Sequence, residues 1–309
     1  MALTTEQLEQ YGQDGFLILP EYFVLEELEP VIAEVDGLVD NLAERLFAAG
    51  KIQNRHAEAG FLTRLALLEK EYAGAAVLIH IGGILGPALA HLWETPRLLE
   101  MVQQILGPEI AGHPVWNLRS KTPNNPLVTV PWHQDTAYLG EGCETTFQPT
   151  AWIPLVDADR VNGTLQVVRG GHRTGKVFRH RLENTRGHKA SWYLYIPEEE
   201  LPAGEIVTCE MPKGSVLLLN QLIPHRSTEN LSDITRWSID LRWQRPNERS
   251  GFEGIKDLLL MRTARDPQYP IDWAGWAKQN RIADAMLETP QEEFDTNVSG
   301  PWMERWKSG

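Results

Sequence analysis

The stretch Thr235–Trp243, TRWSIDLRW, alternates two kinds of side chain. Arg236, Ser238, Asp240 and Arg242 hold one set of positions; Trp237, Ile239, Leu241 and Trp243 hold the other. A period of two is that of a β-strand, whose successive side chains point to opposite faces. The spacing predicts a strand with one large apolar face and one charged face. If the apolar face packs on a neighbouring layer, the arginines point inward. They then need an anionic partner, and a carboxylate matches the planar guanidinium fork best. An edge strand with its charges in water is the other reading of the same pattern.

Segments of similar texture precede it. VWNLRSK, LVTVPWHQD, PTAWIPLVDA, GTLQVVRGG, EIVTCEM and GSVLLLNQLI follow Gly107, separated by Pro, Gly and Asn. Strand after strand without intervening helices predicts a mainly β fold with a helical layer, as a barrel or jelly roll. The first third differs. LTTEQLEQYGQDGFLILPEYF reads as a short helix, an Asp14-Gly15 turn and a strand, with Thr4 and Gln7 as a capping box. Apolar residues from Leu25 to Leu46 recur at three and four, predicting a long amphipathic helix that ends near Gly50. A further helical region is expected over about Ala57 to Leu106. After Gly251 come a helical DWAGWAKQNRIADAML and an irregular end with Trp302 and Trp306. The expectation is one domain over 1–309: a largely helical part (1–106), a β core (107–250) and a C-terminal extension (251–309).

Composition narrows the function classes. A 42% hydrophobic and 23% charged chain is ordinary for a soluble globular enzyme. The net charge of -13 argues against a general nucleic-acid or anionic-membrane binder. Cys143 and Cys209 make neither a disulfide framework nor a zinc ribbon, which suits a reducing compartment. MALTTEQLEQ lacks the basic and apolar regions of a secretory signal. No stretch approaches the roughly 18 apolar residues of a membrane helix, and RWKSG is not a peroxisomal address. A cytoplasmic protein is the expectation.

Within PWHQDTAYLG, Pro131–Gly140, His133 and Asp135 stand two apart at what reads as a strand end, so they would project together. His225, just after the apolar run VLLL, can complete a set of two imidazoles and one carboxylate. Such a facial triad leaves three positions open on an octahedral metal and suits iron(II). A lone His-x-Asp also recurs by chance or as an exposed salt link.

HQDTAYLG, NGTLQVVRGGHRTG and PHRSTENLSDITRWSIDLRW, in this order, resemble the phytanoyl-CoA dioxygenase family of iron(II)/2-oxoglutarate oxygenases. The opening Leu3–Phe23 is similar to that family's first helix and strand. The resemblance runs to Trp243 and is weakest over about Gln53 to Leu98. It implies a double-stranded β-helix (a cupin-like jelly-roll barrel) flanked by N-terminal helices, with His133, Asp135 and His225 as iron ligands. It implies that Arg236 binds the far carboxylate of 2-oxoglutarate and that Ser227 assists that arginine. Gln134, Trp152 and Asn117 fall where the family lines the cosubstrate pocket. No catalytic residue beyond the metal ligands is implied. The reaction implied is hydroxylation of an unactivated C–H bond of a small organic molecule, using Fe(II), 2-oxoglutarate and O2 and releasing succinate and CO2.

Between Gly171 and Glu205 lies a basic island with Arg173, Lys176, Arg179, Arg181, Arg186 and Lys189. It reads either as a solvated loop or as a clamp for an anionic substrate, with Arg179 or Arg181 the candidates. Trp192, Tyr193 and Tyr195 are candidates for the substrate entrance. His172, after a Gly-Gly turn, reads as structural; His56, His80, His91 and His113 read as ordinary surface or core residues. Two other readings stay open. A non-catalytic cupin-like sensor would bind metal and ligand without turnover. A zinc hydrolase would use the triad but has no role for Arg236 and Ser227. Substrate identity and oligomeric state are not legible.

Overall fold

The computed structural model describes residues 2–82, 85–182, 193–279, 293–296, 298 and 300–306. α1 (Thr5–Asp14) begins with the expected reciprocal cap between Thr4 and Gln7 and ends at Gly15. Gly15 has a left-handed φ of 80°, and the His172 ring packs where a Cβ would stand. β1 (Phe16–Leu19) and the long α2 (Leu25–Ala48) follow. The region from 57 to 106 resolves into α3 (Arg64–Glu71), α4 (Ala75–Gly82), α5 (Pro87–Trp93) and α6 (Pro96–Leu106). Pro87 and Pro96 each open a new helix, where a missing N–H costs nothing.

The strands are β2 (Ile110–Gly112), β3 (Asn117–Lys121), β4 (Thr150–Pro154), β5 (Leu165–Val168), β6 (Arg181–Leu182), β7 (Leu194–Tyr195), β8 (Ile206–Cys209), β9 (Val216–Leu219), β10 (His225–Ser227), β11 (Arg236–Gln244) and β12 (Leu259–Arg262). α7 (Trp273–Ala277) and α8 (Trp302–Arg305) complete the described elements. The rest of the helix expected in DWAGWAKQNRIADAML lies outside the described residues. One sheet runs β1-β9-β4-β11-β2-β12, with β3 also on β11; a second runs β10-β5-β8; β6 and β7 form a hairpin. All pairings are antiparallel.

Alternation builds the layers. On β11, Trp237, Ile239, Leu241 and Trp243 join α2, α5 and α6 in the main core. β9 sends Val216 and Leu218 to that core, but Leu217 and Leu219 to a second cluster shared with Leu165, Val167 and Cys209 of the small sheet. The large sheet is thus apolar on both faces at β9, with helices on one side and the small sheet on the other. β11 is internal, flanked by β4 on one side and by β3 and β2 on the other, so the edge-strand reading does not apply.

LVTVPWHQD does not form the expected strand. Pro126 and Pro131 each lack the N–H a ladder requires. Pro126–Val128 is instead a 3-10 turn, and the segment meets β10 through an isolated bridge at His133. Among the described residues no helix is long and apolar enough to cross a membrane.

Candidate metal and anion site

The bridge brings two imidazoles together. The His133 N–H donates to the His225 carbonyl and the His225 N–H to the His133 carbonyl, both at 2.9 Å. Their ring centroids are 4.1 Å apart. Gln134 is extended, and Asp135 opens a 3-10 turn, Asp135–Tyr138, that turns its carboxylate back towards both rings. Asp135 Oδ1 lies 3.9 Å from His133 Nε2 and 3.9 Å from His225 Nε2.

The hydrogen bonds select the tautomers. His133 Nδ1 faces Pro131 O at 2.8 Å and His225 Nδ1 faces Ile223 O at 3.0 Å. A carbonyl only accepts, so each Nδ1 carries the hydrogen and each Nε2 offers a lone pair. Burial, with His225 adding to it, holds His133 well below the ordinary imidazole range and therefore neutral. Burial alone would raise Asp135; Arg242 first, then the two histidines, outweigh it and hold the carboxyl below its usual range. Asp135 Oδ1 accepts from Arg242 Nη2 (2.9 Å), and Oδ2 accepts from Arg242 Nε (3.3 Å) and Thr150 Oγ1 (2.8 Å). A carboxylate oxygen has two lone pairs, so Oδ1 retains one for a cation. The three donor groups, all buried, can hold a metal ion with ligand atoms within 4.8 Å of one another. Their mix of imidazole and carboxylate fits iron(II).

The triad opens into a cavity between the two sheets. β11 contributes Arg236, Asp240 and Arg242 to its wall, and β3 contributes Arg119 and Lys121. Strand register places Lys121 directly opposite Arg236. Both are about 2% exposed, and like charges in opposing positions repel. Lys121 Nζ donates to Thr129 Oγ1; Arg236 donates to Ser238 Oγ at 2.6 Å and Gly163 O at 3.0 Å, while its Nε is buried without a partner. Burial pushes Arg236 down to about 10 and Lys121 well below its usual value. This pole of the cavity is built for an anion.

Trp152 and Ser227 also line this cavity, and the Trp152 ring centroid lies 5.2 Å from the Arg236 guanidinium carbon. The hydroxyl on Arg236 is that of Ser238 rather than Ser227, whose Oγ accepts the Val130 N–H at 2.9 Å. Gln134 does not reach the cavity, because alternation sends it opposite to its neighbours. Its amide instead bonds Lys176 O, Leu222 O and the Phe178 N–H. Asn117 is not among the lining residues; it stands opposite Asp240 and donates to it at 3.1 Å. Arg179 is exposed and outside the cavity. Arg181 pairs with Glu200 at 2.8 Å and lines a separate outer groove together with Tyr195. Tyr193 lines the inner cavity, and Trp192 lies outside the described residues. Sequence reading missed Lys121, Thr150 and His80; it has Arg242 pointing inward and needing a carboxylate, without naming Asp135 as that partner. The alternation of Asn117, Arg119 and Lys121 was a usable signal for the first.

A family model described as phytanoyl-CoA dioxygenase matches residues 11–238. The chain is 30% identical over 179 residues to 1-deoxypentalenic acid 11-beta-hydroxylase of Streptomyces arenae, an alignment covering 53% of this chain and 59% of that protein. It is 27% identical over 174 residues to ectoine dioxygenase of Bordetella parapertussis, covering 56% of this chain and 50% of that protein. The chain thus spans 50–59% of the length of these curated relatives. Among solved structures, the apo non-heme monooxygenase ThoJ superposes with a TM-score of 0.58 at 22% identity, covering 93% of this chain and 89% of that one. The alpha-ketoglutarate-dependent epimerase SnoN superposes with a TM-score of 0.52 at 18% identity, covering 81% and 86%. These superpositions establish a shared fold.

Proposed function

From the premise that the chain belongs to the phytanoyl-CoA dioxygenase family, we propose that it is an iron(II)- and 2-oxoglutarate-dependent dioxygenase. It hydroxylates an unactivated C–H bond of a small organic molecule; of the curated relatives, one is named a hydroxylase and one a dioxygenase, each of a small molecule. The observation that carries the reading is the buried, opposed pair Lys121 and Arg236 in the same cavity as the His133–Asp135–His225 triad. A zinc hydrolase would leave that cation pair without a role.

On this reading His133, Asp135 and His225 hold iron by two Nε2 atoms and Oδ1. Arg236 and Lys121 bind the far carboxylate of 2-oxoglutarate, and Trp152 walls its chain. Iron and 2-oxoglutarate, when bound, supply the dioxygen chemistry that ends in succinate, CO2 and a hydroxylated product. The protein's part is placement. Arg242 and Thr150 orient Asp135, and two backbone carbonyls orient the histidines. The apolar side chains Leu165, Leu219 and Val130 keep the cavity dry. The two sheets are read as the double-stranded β-helix of a single oxygenase domain over 1–309. Its cytoplasmic setting remains an expectation of the sequence.

The test is an anaerobic titration of apoprotein with iron(II), then 2-oxoglutarate, followed by visible absorption. A chelated keto acid on iron(II) gives a weak charge-transfer band that needs both components and decays, with succinate formed, when oxygen is admitted. A folded protein that binds iron but gives no band would rule the cosubstrate assignment out.

A further inference from the structure

α8 and Trp306 lie beyond the residues matched by the family, 11–238, yet they contact the segment that carries two of the three triad residues. His225 sits in β10, paired with β5. His133 and Asp135 lie in no named strand; their segment is tied to β10 by the His133–His225 bridge and, ahead of it, by the Ser227 N–H on Val130 O at 3.0 Å and the Val130 N–H on Ser227 Oγ at 2.9 Å. A loop that must hold two groups in fixed geometry needs anchors from elsewhere.

In the 3-10 turn Asp135–Tyr138, Thr136 O accepts the Leu139 N–H at 3.2 Å and keeps a second lone pair, and the carbonyls after it come where the turn's own donors run out. Arg305 Nη1 donates to Thr136 O and Leu139 O, each at 3.1 Å, and Trp306 Nε1 donates to Ala137 O at 2.9 Å. A cation and an indole from the far end of the sequence therefore cap this turn, where the turn's dipole favours positive charge. Glu144 holds Arg305 Nη2 at 2.8 Å, and the arginine side chain is only 10% exposed.

The histidine side is contacted as well. The Trp302 ring meets Tyr138 edge-on at 5.4 Å, and Tyr138 meets His133 edge-on at 5.5 Å. The Trp306 ring lies 5.2 Å from His180, whose Nε2 accepts the Gln134 N–H at 3.0 Å. His180 Nδ1 donates to Phe178 O at 2.8 Å, which fixes the tautomer this requires. Residues on both sides of the His133–Asp135 spacing, and the turn that follows it, thus share a backing from the chain's end.

We propose that Trp302, Arg305 and Trp306 are positioning residues of the metal site, setting where His133 and Asp135 stand relative to His225. Affinity for iron(II) then depends on them, although none touches the metal. The inference rests on the triad being an iron site, and the test separates the two.

Iron(II) alone is added to anaerobic full-length apoprotein, and its Kd is measured by equilibrium dialysis for wild type, Arg305→Ala, Arg305→Lys and Trp306→Phe. Near-ultraviolet circular dichroism reports whether each variant is folded. Arg305→Ala is expected to raise the Kd about tenfold or more, the usual scale for residues that orient metal ligands. Arg305→Lys should recover part of the loss, since an ammonium can donate to the carbonyls but lacks the second nitrogen by which the guanidinium is held on Glu144. Trp306→Phe keeps a ring against His180 and loses one donor, so it should fall between wild type and Arg305→Ala. If Arg305→Ala does not fold, the other two variants decide. Folded variants with wild-type Kd values and a lowered melting temperature would overturn the proposal, leaving the segment a structural brace. Wild type without iron affinity would remove the metal reading itself.

Discussion

Arg242 donates to both carboxylate oxygens of Asp135, Nη2 to Oδ1 at 2.9 Å and Nε to Oδ2 at 3.3 Å, with both side chains buried. Removing one partner of such a pair leaves an uncompensated charge, at a cost of about 3–5 kcal/mol. Arg242→Met should therefore destabilise the apoprotein strongly. A divalent cation bound at the triad would restore a positive neighbour to Asp135, so added manganese(II) should stabilise the variant more than wild type. Urea unfolding with and without the metal measures this. Equal stabilisation of both proteins would mean that the metal does not sit at Asp135.

His225→Ala removes one of three donor groups and half of the backbone-bridged imidazole pair. The expected result is loss of stoichiometric iron(II) binding and of turnover in a folded protein. Metal analysis after anaerobic loading and desalting checks it; a variant that retains one equivalent of iron would contradict the site.

Arg236→Ala should weaken 2-oxoglutarate on the order of a hundredfold, the scale for truncating one side of a buried charge pair. Iron(II) affinity should stay near wild type, because Arg236 bonds Ser238 and Gly163 rather than the triad. Lys121→Met should act in the same direction and less strongly, since an ammonium offers no bidentate fork. Titration of the charge-transfer band gives both affinities. A cosubstrate affinity that does not change would mean that the anion binds elsewhere.

Three histidines outside the triad make stability depend on pH. Burial pushes His113 and His180 down to about 4 and, with Arg119 nearby, His80 to about 3. Unfolded histidine titrates near 6.5, so between these values the unfolded chain binds more protons than the folded one. Stability is then fully present above about pH 6.5 and is lost as pH falls towards 4, by up to about 3 kcal/mol for His113. Melting temperatures from pH 7.5 to 4.5 should show this slope, and His113→Gln should flatten it. A profile that stays level in wild type would contradict the burial of these rings as neutral groups.

β11 was readable from sequence because arginines and tryptophans alternate without a break, so a register error would bury charge against the helices. His133 and Asp135 stand out by their spacing, but a lone His-x-Asp also recurs by chance, and it is the family resemblance that assigns them to a metal. What escaped depends on partners distant in the chain. Nothing near Asp135 announces Arg242, which stands 107 residues later on β11 and meets it only through the register of β4 against β11. The family resemblance puts Gln134 at the cosubstrate pocket, whereas alternation turns it the other way, onto Lys176, Leu222 and Phe178. The strand expected through LVTVPWHQD failed on two prolines that were in plain view. Arg179 and Arg181 sit where no periodic pattern fixes direction. His80 lies in the apolar helix AAVLIHIG, and only the packing of α4 on β3 brings it to the cavity.

The mutual hydrogen bonds of His133 and His225 have a kinetic corollary. The amide protons of these two residues are each held by the other's carbonyl, so a single local opening would release both to solvent at one rate. The amides of β11 lie in a strand paired on both sides and should exchange only through much larger openings. Deuterium uptake at two adjacent-in-space, distant-in-sequence amides would thus time the coming apart of the site while the wall behind it stays shut.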